Sequence, residues 1–165
     1  MHQALQIMSI ILVAVGVALS LTHALELPGK LRLAKETYLA VQPIYYPGFT
    51  IGGLFGEAGA MLATLALLIF TPVASNAFWL TLVAFAALLI MHGVYWVVTH
   101  PVNNFWLRDE HLRGASARFF SAGSRSLGQD WTKLRDRWEY SHVVRALLAM
   151  LSLISLVTAA TIYRS

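Results

Sequence analysis

The chain has 165 residues, of which 58% are hydrophobic and only 12% are charged, and its formal net charge is +4. Its mean hydropathy is +0.64, and a soluble domain of this size could not bury so much apolar surface. The absence of cysteine excludes disulfides, thiolate catalysis and thiolate-ligated metal sites. The composition therefore predicts an integral membrane protein.

The apolar residues form blocks of roughly 20 residues, the length of a helix that crosses a hydrocarbon core of about 30 Å. The blocks cover residues 4–22, 49–70, 76–99 and 142–163. Their uninterrupted apolar runs lack the alternation of transmembrane β-strands. We therefore predict an all-α fold, a four-helix transmembrane bundle that forms a single domain over residues 1–165.

The links between the blocks differ in length and charge. The first, residues 22–48, contains turn signals at its prolines, and the second, residues 71–75, is short and uncharged. Helices two and three therefore form an antiparallel hairpin. The third link, His100 to Ser141, is long, polar and basic. We predict that this long link between helices three and four is interfacial or cytoplasmic.

Basic residues are concentrated in the first and third links, which lie on the same face of the membrane. The positive-inside rule predicts that these links are cytoplasmic and that both termini are outside, as in a bacterial-type inner membrane. Because these charges flank helix ends, we expect them to contact lipid head groups and not nucleic acid. They are Lys30, Arg32, Lys35, Arg108, Arg113, Arg118, Arg125, Lys133, Arg135 and Arg137.

Several ionisable side chains lie within the apolar blocks at a common depth. Glu57 on helix two and His92 on helix three both fall roughly 12 Å from the cytoplasmic boundary. His142 and Arg145, at i and i+3, share one face at the start of helix four, and Trp96 shares a face with His92. Such groups are costly in a bilayer unless they pair or face a polar interior. We therefore predict a polar cluster in the cytoplasmic half.

Small residues on helix two accompany this cluster. Gly52, Gly56 and Ala60 form a ridge with a spacing of four residues, and Glu57 sits beside it. Such ridges allow the backbones of two membrane helices to approach closely. The sequence therefore predicts close helix contact around the glutamate.

Three interpretations of the cluster are open. It can be a site for iron, copper, zinc or haem, or a small-molecule pocket with a polar end and aromatic walls. Alternatively, its groups only pair among themselves, and boundary residues such as Trp138 are interfacial anchors. The metal candidates are His23, Glu57, His92, His100 and His142, and the pocket candidates are Arg145, Asn103, Asn104, Trp96, Trp106, Tyr45 and Tyr46.

Two motifs carry a resemblance to a known family. His100-Pro101-Val102-Asn103-Asn104 ends helix three, and Trp138-Glu139-Tyr140-Ser141-His142-Val143-Val144-Arg145 opens helix four. This pattern resembles the anthrone oxygenase-like family of small four-helix integral membrane proteins. That family has Pro-x-Asn after helix three and Trp-x-x-x-(His or Asn)-x-x-Arg at the start of helix four.

The resemblance implies oxygenation of aromatic anthrones to anthraquinones. The residues of this chain that match the family's motifs are Pro101, Asn103, Trp138, His142 and Arg145. Such an oxygenation can proceed without an evident metal or flavin, because a deprotonated anthrone is itself electron-rich, so the cofactor is expected to be none or is unknown. In this scheme the catalytic residues are His142 or His92 as the base and Arg145 as the cation that stabilises the anion. The expected substrate-binding residues are Asn103, Asn104, Trp138, Glu57, Trp96 and Tyr46.

Two other functions are consistent with the same sequence. The chain can be a non-catalytic accessory subunit whose tightly packed helices dock into a larger membrane complex, or a redox protein with a His-ligated metal or haem. The expected partners are the lipid bilayer, a hydrophobic or aromatic small molecule, and either other membrane subunits or further copies of the chain. Metal analysis and an absorption spectrum distinguish the redox alternative.

Overall fold

The computed structural model describes residues 1–106 and 130–163, but not the side chains of residues 104–106. A short 3₁₀ turn at Gln42–Tyr45 precedes a cis peptide bond between Tyr46 and Pro47. The helices are α1 (His2–Lys30), α2 (Lys35–Val41), α3 (Gly48–Ile69), α4 (Asn76–Val94, continued by Tyr95–Thr99 and His100–Trp106) and α5 (Trp131–Ile162).

Helices α1, α3, α4 and α5 are long and apolar enough to cross a membrane, and the described residues contain no strand. This confirms the predicted all-α bundle with four candidate membrane helices. The central part of the long link that the sequence predicts between helices three and four, residues 107–129, lies outside the described residues.

Three of the helices extend beyond the predicted apolar blocks, and α4 does so by continuing to Trp106. α1 continues past residue 22 to Lys30, and α5 begins at Trp131, well before residue 142. The added turns carry charged residues that are neutralised inside the protein: Lys30 Nζ lies 2.9 Å from Glu26 Oε2 and 3.5 Å from Glu139 Oε1. Because these charges pair, the polar stretches remain helical and do not form the solvated loops that composition indicates.

The glycine ridge on α3 packs against α1. A Cβ on Gly56 would lie only 2.9 Å from Val15 Cγ1 and 3.3 Å from the backbone nitrogen of Gly16. Ala60 continues the ridge and is buried. The predicted close helix contact around Glu57 is confirmed, because only glycine allows this approach at position 56.

The two ends of the bundle differ in what they contain. We call the end with Met1 and Tyr163 the termini half, and the end where α1 finishes and α5 begins the site half. In the termini half, the His2 ring stacks on Tyr163 with centroids 4.0 Å apart, and His2 Nε2 lies 3.0 Å from Thr71 Oγ1. The remaining core of this half is apolar apart from hydroxyl groups, and its buried residues include Ala84, Leu67 and Leu156.

Candidate functional site

A cavity of about 570 Å³ occupies the site half, with walls from α1, α3, α4, α5 and the segment around Tyr46. This volume lies in the range of small-molecule sites, about 300–1,000 Å³. Asn104 has no described side chain, and His100 does not line the cavity. The sequence-predicted residues that do line it are His23, Tyr45, Tyr46, Glu57, His92, Trp96, Asn103, Trp138, His142 and Arg145.

Arg145 lies at the centre of the polar wall and joins three helices. Its Nη2 donates a hydrogen bond to Glu57 Oε1 on α3, and its Nη1 lies 3.2 Å from His142 Nδ1. His92 on α4 faces the other oxygen of the glutamate, with Nδ1 3.8 Å from Glu57 Oε2. Arg145 and Glu57 are both buried, so each charge offsets the cost of burying the other.

The hydrogen bonds assign a tautomer to His142. A guanidinium group has donors and no acceptor, so the bond from Arg145 requires an unprotonated Nδ1 and puts the ring proton on Nε2. Neither His142 Nε2 nor Arg145 Nε has a hydrogen-bond partner among the described residues, although both atoms are buried. Both residues line the cavity, and their two buried N–H donors lack the hydrogen bonds that buried polar groups normally make.

His92 differs from His142 in exposure and in its charged neighbour. Its side chain is 28% exposed, and the nearest charged group is the carboxylate of Glu57, at Nδ1. A carboxylate beside one ring nitrogen favours the proton on that nitrogen and leaves the other nitrogen as an acceptor. In that tautomer the ring lone pair of His92 is on Nε2.

Aromatic rings continue the cavity wall beside His142. The His23 and His142 rings lie 4.1 Å apart between centroids, and Trp138 contacts both at 4.9 Å and 4.3 Å. Trp138 is buried, and its Nε1 donates to Asn103 Oδ1 at 2.5 Å. The interpretation of Trp138 as an interfacial anchor is therefore wrong, because both its ring and its N–H are used inside the bundle.

The Trp138 bond also restricts what Asn103 can offer. Asn103 is buried, and its carbonyl oxygen accepts from the indole, which fixes the orientation of its amide group. Tyr95, which the sequence reasoning missed, faces the same region, with its ring centroid 5.2 Å from Arg145 Cζ. Pro101 of the sequence motif is exposed and does not line the cavity.

A second polar network lies behind the aromatic wall and was not predicted. Lys30 and Glu139 are buried, Tyr38 Oη donates to Glu139 Oε1 at 2.9 Å, and Tyr45 Oη donates to Glu26 Oε2 at 2.6 Å. Burial raises the pKa of the Tyr38 and Tyr45 hydroxyls, and their carboxylate partners raise it further. Both tyrosines therefore remain protonated donors.

Lys30 connects this network to the cavity. Its Nζ lies 3.3 Å from His23 Nδ1, 4.5 Å from the Tyr45 ring centroid and 5.0 Å from that of Trp138. The sequence did contain a signal: His23, Glu26 and Lys30 follow each other at i, i+3 and i+7, which is one face of a continuing helix.

The predicted metal candidates fall into separate groups. His23 contacts His142, Glu57 contacts His92, and His100 stacks on Trp96 with centroids 5.0 Å apart. Within residues 1–106 and 130–163, no group of three His, Asp or Glu side chains could hold a metal ion. The geometry thus offers pairs of ligands, whereas zinc sites use three or four protein ligands.

Comparison with known proteins gave one family. A family model described as "Anthrone oxygenase" matches residues 47–155, a range that begins before α3 and ends within α5. The matched range contains Glu57, His92 and Arg145, whereas His23 and Lys30 precede it. No curated protein and no solved structure matches the chain.

Proposed function

This chain belongs to the anthrone oxygenase family, and we propose that it oxidises an anthrone to an anthraquinone with molecular oxygen in the cavity of the site half. In this reaction the ring CH₂ group loses both hydrogens. One oxygen atom of O₂ becomes the new carbonyl, and the other leaves as water. The four-electron reduction of O₂ is balanced by oxidation of the CH₂ carbon, so no other reductant is needed.

One observation carries the proposal: the cavity brings together a proton acceptor and two unpartnered donors. The acceptor is His92 Nε2, and the donors are His142 Nε2 and Arg145 Nε. Removal of a proton from the CH₂ group creates an enolate, whose negative charge lies largely on the existing carbonyl oxygen. N–H donors in a site that excludes water stabilise such an oxygen strongly.

In the proposed first step, His92 Nε2 takes a proton from the CH₂ group while Glu57 stabilises the imidazolium that forms. The electron-rich enolate then transfers an electron to O₂, and the two radicals combine to form a peroxide anion on the same carbon. This anion takes the proton back from the His92 imidazolium and becomes a hydroperoxide. Loss of the second hydrogen as a proton, with cleavage of the O–O bond, forms the carbonyl. The released hydroxide takes up a proton and leaves as water.

Arg145 and His142 have the complementary role. Arg145 holds Glu57 in place through Nη2 and orients His142 through Nη1, which leaves Arg145 Nε and His142 Nε2 for the enolate oxygen. This assignment narrows the sequence-based scheme, in which either His142 or His92 was the base. His142 cannot accept a proton at Nδ1 while that nitrogen accepts from Arg145.

The test is oxygen uptake by the purified protein in lipid nanodiscs with an anthrone as the substrate. We expect His92→Gln to lower the rate above the protein-free background by roughly 100-fold or more, the usual contribution of a general base. His2→Gln, which changes a histidine in the termini half, is the matched control and should retain the wild-type rate.

Two results would contradict this proposal at different levels. A wild-type rate equal to the rate in empty nanodiscs would remove the oxygenase function. An unchanged rate in His92→Gln, with a large loss in His142→Gln, would reassign the base. Metal analysis and an absorption spectrum of the same sample test the His-ligated metal or haem alternative, and activity without added subunits would count against an accessory role.

The orientation in the membrane is part of the proposal. The basic residues Lys30, Arg32 and Lys35 lie at or beyond the site end of α1, which supports a cytoplasmic site half and outside termini. A single cysteine introduced at position 36 should then react with an impermeant maleimide only when the vesicles are inside-out. Reaction in right-side-out vesicles would reverse the assignment.

A further inference from the structure

The cavity is bordered by α3 and α4, and these helices contact each other mainly away from it. Their packing involves Gly59–Ile69 on α3 and Asn76–Val94 on α4. Closer to the site end, both helices contribute cavity walls: Leu54 and Ala58 come from α3, and Trp96 comes from α4. The space between the site-side ends of α3 and α4, which we call the lateral cleft, is therefore continuous with the cavity.

The rim of the lateral cleft is exposed although it lines the cavity. Leu54 is 65% exposed, Ile51 is 54% exposed and Trp96 is 47% exposed, and all three line the cavity. A residue that is both part of the cavity wall and open to the surroundings marks an entrance. The exposed rim consists of large apolar side chains, which favour hydrocarbon over water.

The depth of this rim indicates which phase it faces. Leu54 lies six residues after Gly48, the first residue of the apolar span, and the helical rise puts it roughly 9 Å inside the span. Trp96 lies within the span Asn76–Asn103. At that depth a protein surface contacts acyl chains and not water.

Both helices change their winding at the lateral cleft. α3 contains a π-helical turn at Leu54–Ala58, and α4 contains one at Tyr95–Thr99. A π-helical turn adds a residue to the turn and alters the direction in which successive side chains point, and it is frequent at functional sites. Here these turns let Glu57 and Tyr95 point into the cavity while their neighbours Leu54 and Trp96 remain at the rim.

We propose that the substrate enters the cavity sideways from the bilayer through the lateral cleft between α3 and α4. The substrate class is then an uncharged, planar aromatic compound that dissolves in the membrane and leads with its polar edge toward Arg145. This substrate class rests on the proposed function, whereas the entry route can be tested without turnover.

The experiment uses the absence of cysteine in the natural chain. Ser20→Cys puts one thiol on α1, a helix that does not form the lateral cleft, at a buried position that lines the cavity. Reconstituted protein is treated with N-(1-pyrenyl)maleimide, a planar aromatic that partitions into lipid, or with a permanently charged, water-soluble maleimide. Leu19→Cys, which is also on α1 and also lines the cavity, provides a second reporter if the first variant does not fold.

A bulky residue at the rim tests the route itself. Leu54→Trp narrows the lateral cleft, and Leu62→Trp is the matched control, because Leu62 is on the same helix, is 69% exposed and does not line the cavity. We expect the pyrenyl maleimide to label the thiol faster than the charged maleimide does. Leu54→Trp should slow labelling by the pyrenyl maleimide roughly tenfold, which is equivalent to an added barrier of about 1.4 kcal/mol. Leu62→Trp should leave it unchanged.

Three outcomes would overturn the lateral route. These are equal or faster labelling by the charged reagent, equal labelling rates in Leu54→Trp and Leu62→Trp, and no labelling of either reporter in the folded protein. A protein that passes this test but takes up no oxygen with an anthrone would retain its lateral entrance and lose only the proposed function.

Discussion

The termini half and the site half are held together by different contacts. In the termini half, small and aliphatic side chains such as Ala84, Ala149 and Leu156 pack at the helix interfaces. In the site half, buried polar contacts also join the helices, as between Arg145 on α5 and Glu57 on α3. A bilayer provides no hydrophobic drive for helices to associate, so other contacts must hold the helices together. Close packing does so in the termini half, and polar contacts contribute in the site half.

This difference shows how a small membrane protein can hold an open cavity. The termini half is closely packed and needs no charge. The site half leaves about 570 Å³ unfilled. Ion pairs and hydrogen bonds at the cavity wall and behind it compensate for the packing contacts that the cavity removes. Loss of polar partners should therefore harm the site half far more than the termini half.

The largest effect on stability is expected from Lys30→Met, which leaves the fully buried Glu139 without its cation. Breaking a buried pair in this way costs about 3–5 kcal/mol. Thermal unfolding in detergent, followed by circular dichroism, measures the loss. The double variant Lys30→Met/Glu139→Gln removes both charges and should recover most of the stability, whereas additive losses would show that the pair is not coupled.

A smaller effect is expected where the two halves meet. Gly56→Ala puts a methyl group 2.9 Å from Val15 Cγ1 and forces α1 and α3 apart, at a cost of about 1–3 kcal/mol. Gly93→Ala is the control, because a Cβ at that position meets no atom within 4 Å. Equal melting temperatures for these two variants would contradict the close contact between α1 and α3.

The smallest effects compare buried hydroxyls in the two halves. In the site half, Thr99 Oγ1 lies 2.8 Å from Ser141 Oγ, and Thr99→Val should cost about 1 kcal/mol. In the termini half, Thr64 is fully buried and its hydroxyl has no partner among the described residues. Thr64→Val should therefore be neutral or slightly stabilising. A greater loss in Thr64→Val than in Thr99→Val would contradict the contrast between the halves.

The sequence predicted the fold and the polar cluster for different physical reasons. Span lengths follow from bilayer thickness, so the helices could be assigned from hydropathy alone. The depths of Glu57, His92 and Arg145 follow from counting residues along those helices, and the structure brings these side chains together. Whether they act in catalysis remains a prediction.

The features that the sequence reasoning missed depend on tertiary contacts. The helical spacing of His23 and Lys30 puts them on one face of α1, but it does not show that Lys30 meets Glu139 on another helix. The π-helical turns at Leu54–Ala58 and Tyr95–Thr99 carry no clear sequence signal, because a single added residue per turn leaves the apolar pattern intact. The lateral cleft follows from those turns and was therefore not predictable.

During synthesis, α3 reaches the membrane well before α5, so Glu57 has no guanidinium partner until Arg145 arrives. A charged side chain at the middle of an isolated helix costs about 2.5–3.5 kcal/mol on insertion scales. A helix that is translated later, α5, thus stabilises the insertion of an earlier one, α3. We expect nascent chains that stop before Arg145 to be recognised by membrane quality-control proteases, which makes the arginine a checkpoint for biogenesis.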